Sequence, residues 1–271
     1  IPFQALLFSD ENIKQKDYRQ LDYLIKHVDI QYLFNASDLD SYNSPRSWDI
    51  DLFVPKYIEA MDLPFAERFA REFQFESQLF EGLKAESALF ENSSASILHY
   101  SGHGEGSDFM REAARLTFSD KSIGVKDIYA SNNRSHLVVL NACSSGKGVF
   151  NDGDGVDGFS RAFYMKGAQQ TLSAFWDLDD RSSHQILENF YLKLSQGFGS
   201  NRSLRESQID YILSAKNSSQ AAPYYWAGHQ MNGSTQRFEP NQSGRGGDGA
   251  IFWMALLCIG GLGYFISFRI R

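Results

Sequence analysis

Cysteine is scarce. The 271 residues hold two, Cys143 and Cys258, so no disulfide framework staples the fold, and cysteine usage does not reveal a redox compartment. Basic clusters are missing too. Lys and Arg number 26 against 33 Asp and Glu, the formal net charge is −7 and the pI is near 5.4. A nucleic-acid surface needs Lys and Arg gathered on one face, so nucleic acid is excluded as a partner. There is no internal repeat of 20–50 residues and no long low-complexity tract. Apolar residues are not in short supply: 42% hydrophobic and 14% aromatic content is enough to bury one large core or two small ones.

No metal or cofactor motif stands out either. The acidic glycine stretch Asn151-Asp-Gly-Asp-Gly-Val-Asp-Gly158 invites a calcium reading, but the EF-hand register fails. Counted from Asp152, position five is Val156, position six is Asp157 rather than Gly, and no Glu closes the loop. It reads as a solvated, mobile loop, a lid or a processing site at most. The expectation is no metal and no cofactor.

The ends carry different information. The chain opens Ile1-Pro2-Phe3-Gln4-Ala5-Leu6-Leu7, with neither Met nor a charged segment before an apolar core, and reads as a piece of a longer protein, so the absence of a signal peptide carries no weight. Charge is wholly absent from Ala250 to Phe268 (AIFWMALLCIGGLGYFISF), 19 residues followed by Arg269 and Arg271. As a helix this segment spans about 28 Å, close to the hydrocarbon thickness of a bilayer. A buried core helix is the alternative, but such a helix normally keeps a polar face. Gly244 to Gly249 forms a flexible spacer before it. The expected organisation is a globular domain over 1–235, a Gly-rich linker over 236–249, a single-pass transmembrane helix over 250–268 and a basic tail over 269–271. Arg237 and Arg245 before the span balance Arg269 and Arg271 after it, which leaves the side of the membrane open.

Within 1–235, strand and helix patterns alternate, the signature of an α/β domain with a mostly parallel sheet flanked by helices. Strands are expected at Val28–Phe34, Asp49–Val54, Ile97–Tyr100, Leu137–Leu140 and Gln170–Phe175, with a late strand over Tyr224–Met231. Helices are expected at Leu63–Phe75, Phe159–Met165, Arg181–Leu194 and Leu204–Leu213, from apolar residues recurring on one face.

Two of these strands end on reactive side chains. Tyr-Ser-Gly-His103-Gly follows Ile97–Tyr100, and Leu-Asn-Ala-Cys143-Ser-Ser-Gly follows Leu137–Leu140. A thiol is mostly protonated near pH 7, and a neighbouring imidazole makes the thiolate and later protonates the leaving group. Gly102 and Gly104 let the backbone bend and approach a ligand, and Ala142, Ser144 and Ser145 leave the sulfur open. Backbone N–H groups of Gly104 and Cys143 are candidates for an oxyanion hole. A histidine upstream of the cysteine also follows the order described for caspase-type enzymes.

The blocks ILHYSGHG, LVVLNACSSG, GVDGFSRAFYMKGA, LSAFWDLDDRSSHQILENFYLKL and YYWAGHQMNGS, with IPFQALL and LPFAERFAREF before them, resemble the CHAT family in order and spacing over about residues 1–235. CHAT domains are caspase-like cysteine peptidase domains often fused to tetratricopeptide repeats. The resemblance implies a caspase/gingipain-like fold, His103 as general base, Cys143 as nucleophile, a protein or peptide substrate, and upstream repeats or a regulatory protein as partner. Some relatives of the wider clan carry Asp two residues before the cysteine to pair a basic P1 side chain. Asn141 stands there in this chain, which weakens the case for Arg or Lys specificity. Asp177, Asp179 and Asp180 are further candidates for the substrate pocket, although Asp180 equally suits an N-cap of the following helix. Trp176 and Trp226 fit either a pocket wall or the core. The expected activity is that of a membrane-anchored cysteine endopeptidase; the alternative is a proteolytically silent or latent signalling domain that keeps the fold.

The anchor is tested by cell fractionation with carbonate washing. The full chain should stay with membranes and a chain truncated at Gly249 should wash off. A truncated form that still pellets, or a full chain that washes off, would reject the anchor.

Overall fold

The computed structural model describes residues 2–9, 17–35, 38, 45–57, 63–105, 114–142, 145, 148–151 and 155–239. Ile1–Glu239 is one compact unit. Cys143, the spacer from 240 onward, the apolar span 250–268 and the tail 269–271 lie outside the described residues. Among the described residues no helix is long and apolar enough to cross a membrane.

Short apolar runs bounded by turn residues become the strands of one six-stranded sheet: β1 (Ile50–Pro55), β2 (Gln78–Gly82), β3 (Ile97–Ser101), β4 (Leu137–Asn141), β5 (Gln170–Ala174) and β6 (His229–Gly233). Their spatial order is β2-β1-β3-β4-β5-β6. Every neighbouring pair is parallel except β5 with β6. Every residue of β3, β4 and β5 is buried, as central strands of a parallel sheet covered on both faces must be.

The covering layers are helical: α1 (Pro64–Glu72), α2 (Ser87–Glu91), α3 (Val125–Ala130), α4 (Phe159–Met165), α5 (Asp180–Ser195), α6 (Ser200–Ser214) and α7 (Pro223–Trp226). The alternation of side chains along β4 divides them. Leu137 and Val139 join a core with Phe69 of α1 and Ile186, Leu187 and Phe190 of α5, while Val138 and Leu140 join Phe90 of α2, Ile128 of α3 and Phe163 of α4. Each such fully buried side chain contributes roughly 1.5–3 kcal/mol, so a one-residue slip of β4 would exchange two well-packed faces at once.

Several expectations need correction. Val28–Phe34 forms no strand: its backbone meets the sheet at an isolated bridge from Tyr32 to Asn232, where the Gly233 N–H donates to the Tyr32 carbonyl at 2.7 Å, and Gln31 Nε2 donates to the Gly233 carbonyl at 2.8 Å; it caps the edge at β6 rather than extending the sheet. Tyr224–Met231 is split, because Pro223 opens a helical turn and the strand starts only at His229. The acidic glycine stretch is not a plain loop: Gly148–Asn151 pairs antiparallel with Gly155–Gly158 as a hairpin. The globular unit also runs past 235, since Phe238–Glu239 pairs with Arg46–Ser47 and Phe238 is buried. Strand β2, helices α2 and α3, and the small antiparallel sheet of Gly104–Glu105, Arg115–Thr117 and Ser122–Gly124 had no expectation attached.

Gly233 ends β6 at φ +99, and a Cβ built there runs into the carbonyl oxygen of Gln169. Left-handed backbone and a backbone clash act together, so Gly233→Ala should lower stability by about 2 kcal/mol or more, read as a lower urea midpoint. An unchanged midpoint would contradict this packing of β5 on β6.

Candidate active site

Strands β3 and β4 are adjacent, parallel and in register, with Tyr100 opposite Leu140 and Ser101 opposite Asn141. The ladder continues one step beyond, where the Gly102 N–H donates to the Asn141 carbonyl at 3.2 Å. In sequence His103 follows Ser101 by two residues, as Cys143 follows Asn141 by two. Adjacent strands lie about 4.8 Å apart, so Ser101 and Asn141 end their strands side by side at one edge of the sheet.

His103 is half-buried, and its backbone is held on both sides. Its N–H donates to Tyr57 Oη at 2.9 Å, and its carbonyl accepts from Tyr100 Oη at 2.8 Å. The Tyr57 ring meets the imidazole edge-on, with centroids 4.4 Å apart. Burial pushes both phenols above their ordinary value of 10, which keeps their hydroxyl hydrogens in place as donors. Gly102 fits because it lacks a side chain: a Cβ there would sit 2.6 Å from Tyr100 Oη and closer still to Tyr57 Oη. Gly104 opens the short strand paired with Arg115–Thr117, so the chain after the histidine joins the small antiparallel sheet. On the other strand, buried Ser145 stitches the turn after β4 to β5. Its hydroxyl donates to the Leu140 carbonyl and accepts the Ala174 N–H, each at 3.0 Å.

Behind the two strand ends lies a buried polar network. His184 of α5 brings Nε2 to 2.7 Å from Ser101 Oγ and 3.0 Å from Asn141 Nδ2. Asn141 Nδ2 also donates to Ser101 Oγ at 3.0 Å, and Asn141 Oδ1 faces His229 Nε2 at 3.3 Å. His184 Nδ1 meets the Asp180 carbonyl at 2.7 Å and Asp180 Oδ1 at 3.0 Å. The other carboxylate oxygen of Asp180 accepts the Phe65 N–H at 3.0 Å, tying the first turn of α1 into the same network.

The CHAT domain family profile matches residues 1–234. The chain belongs to the CHAT domain family. No curated protein matches it in sequence. Among solved structures, Saccharomyces cerevisiae separase in its complex with securin superposes with a TM-score of 0.50 at 16% identity, over 77% of this chain and 13% of that chain. The shared fold is α/β, with a mostly parallel sheet flanked by helices, similar to caspase-like proteases. Also matched are the Porphyromonas gingivalis RgpB pro- and mature domains, with a TM-score of 0.43 and 12% identity over 69% of this chain and 47% of that one. The Arg-specific cysteine proteinase gingipain R follows, with a TM-score of 0.41 and 11% identity over 87% and 50%. This CHAT domain thus spans at most about half the length of these chains.

The network sorts the remaining candidate residues of the CHAT domain. Asp180 is not the N-cap of α5; that role belongs to Asp179, whose side chain accepts the Ser182 N–H at 2.9 Å. Asp180 is one residue inside the helix and turns toward His184. Asp177 is exposed on the loop after β5. Trp226 is fully buried and donates Nε1–H to the Ala221 carbonyl, so it belongs to the core. Trp176 is half-buried on Phe175 and donates to the Tyr224 carbonyl. Tyr57, Ser101, His184 and His229 were missed by sequence reasoning. For His184 a signal existed: it falls on the inward face of α5, one turn after Asp180 and three residues before Leu187. Among the described residues, no group of three or more His, Cys, Asp or Glu is arranged to hold a metal ion.

Burial, with the nearby His184 adding to it, pushes the His229 imidazole down from its ordinary 6.5 to about 3. The unfolded chain therefore takes up a proton below pH 6.5 that the folded chain refuses. Stability from this group is fully present above pH 6.5 and is lost as pH falls toward 3, at about 1.4 kcal/mol per pH unit. In urea titrations between pH 8 and pH 5, the stability advantage of the parent over His229→Gln should be constant above pH 6.5 and shrink below it. Parallel curves across the range would show that His229 titrates normally in the fold.

Proposed function

We propose that this CHAT domain is a cysteine endopeptidase in which Cys143 is the nucleophile and His103 the general base. The observation that supports the reading is the register of β3 against β4, which ends the two strands side by side at Ser101 and Asn141, the residues two positions in sequence before His103 and Cys143. The imidazole of His103 accepts the thiol proton, and the sulfur forms a bond to the carbonyl carbon of a peptide substrate. The carbonyl oxygen becomes an oxyanion, for which the backbone N–H groups of Gly104 and Cys143 are the donors; one such donor is worth about 3–4 kcal/mol of transition-state stabilisation. The intermediate collapses as the C–N bond breaks and the leaving amine takes the proton from the imidazolium. Water, deprotonated by the same imidazole, then hydrolyses the thioester and restores the thiol.

The substrate class under this reading is a protein or peptide. Asp177, exposed on the loop after β5, is the acidic candidate for contact with it. The apolar span 250–268 anchors the domain to a membrane, and repeats or a regulatory protein upstream of Ile1 supply the control. No cofactor takes part.

Cys143→Ala and His103→Ala should each reduce peptide cleavage by at least about 10³-fold while leaving the thermal transition in place, and the double variant should be no worse than either single one. Cleavage is followed by mass spectrometry on a peptide mixture that the parent digests. Near-parental cleavage by either single variant would remove the assignment.

A further inference from the structure

We propose that the buried Asp180–His184 pair is a positioning unit for the Cys143–His103 pair, and that Asn141 is its cross-strand tie rather than a contact for a substrate side chain. This rests on the reading of Cys143 and His103 as the reacting groups.

Both groups facing His184 Nδ1, the Asp180 carbonyl and carboxylate, are acceptors, so Nδ1 carries a hydrogen, and in the neutral form of that tautomer Nε2 is an acceptor. Ser101 Oγ–H at 2.7 Å and Asn141 Nδ2–H at 3.0 Å both reach it. The second Asn141 Nδ2 hydrogen goes to Ser101 Oγ at 3.0 Å, and Oδ1 accepts from His229 Nε2. The amide orientation follows, since a reversed amide would set its oxygen against a bare ring nitrogen. Asn141 Nδ2 is thus engaged by Ser101 and His184 inside a site where its side chain is nearly inaccessible, with 6% of the residue exposed. The amide faces the network rather than an open pocket.

The same bonds explain why the residue is Asn. A carboxylate at 141 could only accept, and it would face His184 Nε2, an acceptor in the neutral ring. One imidazole therefore touches the last residue of β3 and the last residue of β4. Each of those residues lies two positions before a reacting residue, so the separation of the strand ends depends on His184. Its own orientation depends on Asp180, which is held in turn by the first turn of α1. Displacement of a reacting group by about 1 Å is enough to cost about 10²-fold in rate.

The test uses the full chain with five substitutions. Tyr191→Phe is the control: Tyr191 is buried on α5 and bonds His99 at 2.9 Å, but touches neither strand end. Folding is followed by near-ultraviolet circular dichroism, kcat and KM on a peptide the parent cuts, and Cys143 alkylation by iodoacetamide against pH by peptide mass spectrometry. His184→Ala should lose about 10²-fold in kcat with KM within about twofold, and its alkylation profile should shift. His184→Gln, which can still offer an acceptor and a donor, should recover at least about tenfold of that loss. Asn141→Asp should lose kcat likewise and gain no cleavage after Arg or Lys, whereas Tyr191→Phe should keep the parental kcat. A folded His184→Ala protein with parental kcat and alkylation profile would overturn the proposal. So would an Asn141→Asp protein that keeps its kcat and acquires basic P1 preference. If His184→Ala fails to fold, His184→Gln and Asn141→Asp are judged by the same criteria. Cys143→Ala in the same assay separates the two levels: its continued cleavage defeats the dyad reading, whereas its inactivity beside an unaffected His184→Ala defeats the positioning role alone.

Discussion

The pairing of β3 with β4 is the interaction on which everything else depends. Both strands are buried over their full length, and their apolar residues divide between two cores on opposite faces. A one-residue slip of either strand would exchange two differently packed faces at once, so the register is costly to change. Because the strands are parallel, fixing the register also fixes which residues emerge together at the carboxyl edge. Burial energy in the middle of the sheet thereby determines geometry at its end, where loop residues alone would place side chains less reliably.

At that end the apolar pattern gives way to a polar one. Ser101, Asn141, His184 and His229 are all nearly inaccessible, and an unpaired polar group in such a place costs about 1–3 kcal/mol. The network avoids most of that cost by pairing its members with one another and with Asp180. Residual tension remains: His229 Nδ1 and His99 Nε2 have no hydrogen-bond partner, and burial holds both rings below the ordinary imidazole value. A core carrying such groups is less stable than an apolar one in acid, and what it gains is a defined arrangement rather than free energy. The Tyr57 and Tyr100 hydroxyls do the same for the backbone of His103 from the other side.

Much of this was legible in the sequence because the signals were local. The apolar runs before His103 and Cys143 were long enough to be strands and too short to be helices, and helix α4 was read at its observed limits. The CHAT blocks agreed with one another. What was not legible depended on contacts between distant segments. Val28–Phe34 has strand-like alternation but meets the β6 edge in a single bridge and packs its aromatic residues on Phe3, Phe175 and Tyr164. Tyr57, with nothing local to mark it, matters because the chain brings it to Gly102. Asp179 and Asp180 are both good helix-start residues, and only the position of His184 and the amide of Phe65 tell which one caps α5 and which turns inward. Asn141 looked like a pocket residue from its distance to Cys143, because sequence spacing does not reveal which face a strand's last side chain takes.

The most direct measurement is a crystal structure of the domain after reaction with a peptide carrying a thiol-directed electrophile. The expected density is continuous from Cys143 Sγ to the peptide, with the His103 imidazole beside the sulfur and the former carbonyl oxygen within about 3 Å of backbone N–H groups at Gly104 and Cys143. His184 should remain bonded to both strand ends in that complex. A covalent adduct elsewhere, or a labelled Cys143 whose sulfur lies beyond reach of His103, would contradict the placement of the reacting pair on the edge formed by β3 and β4.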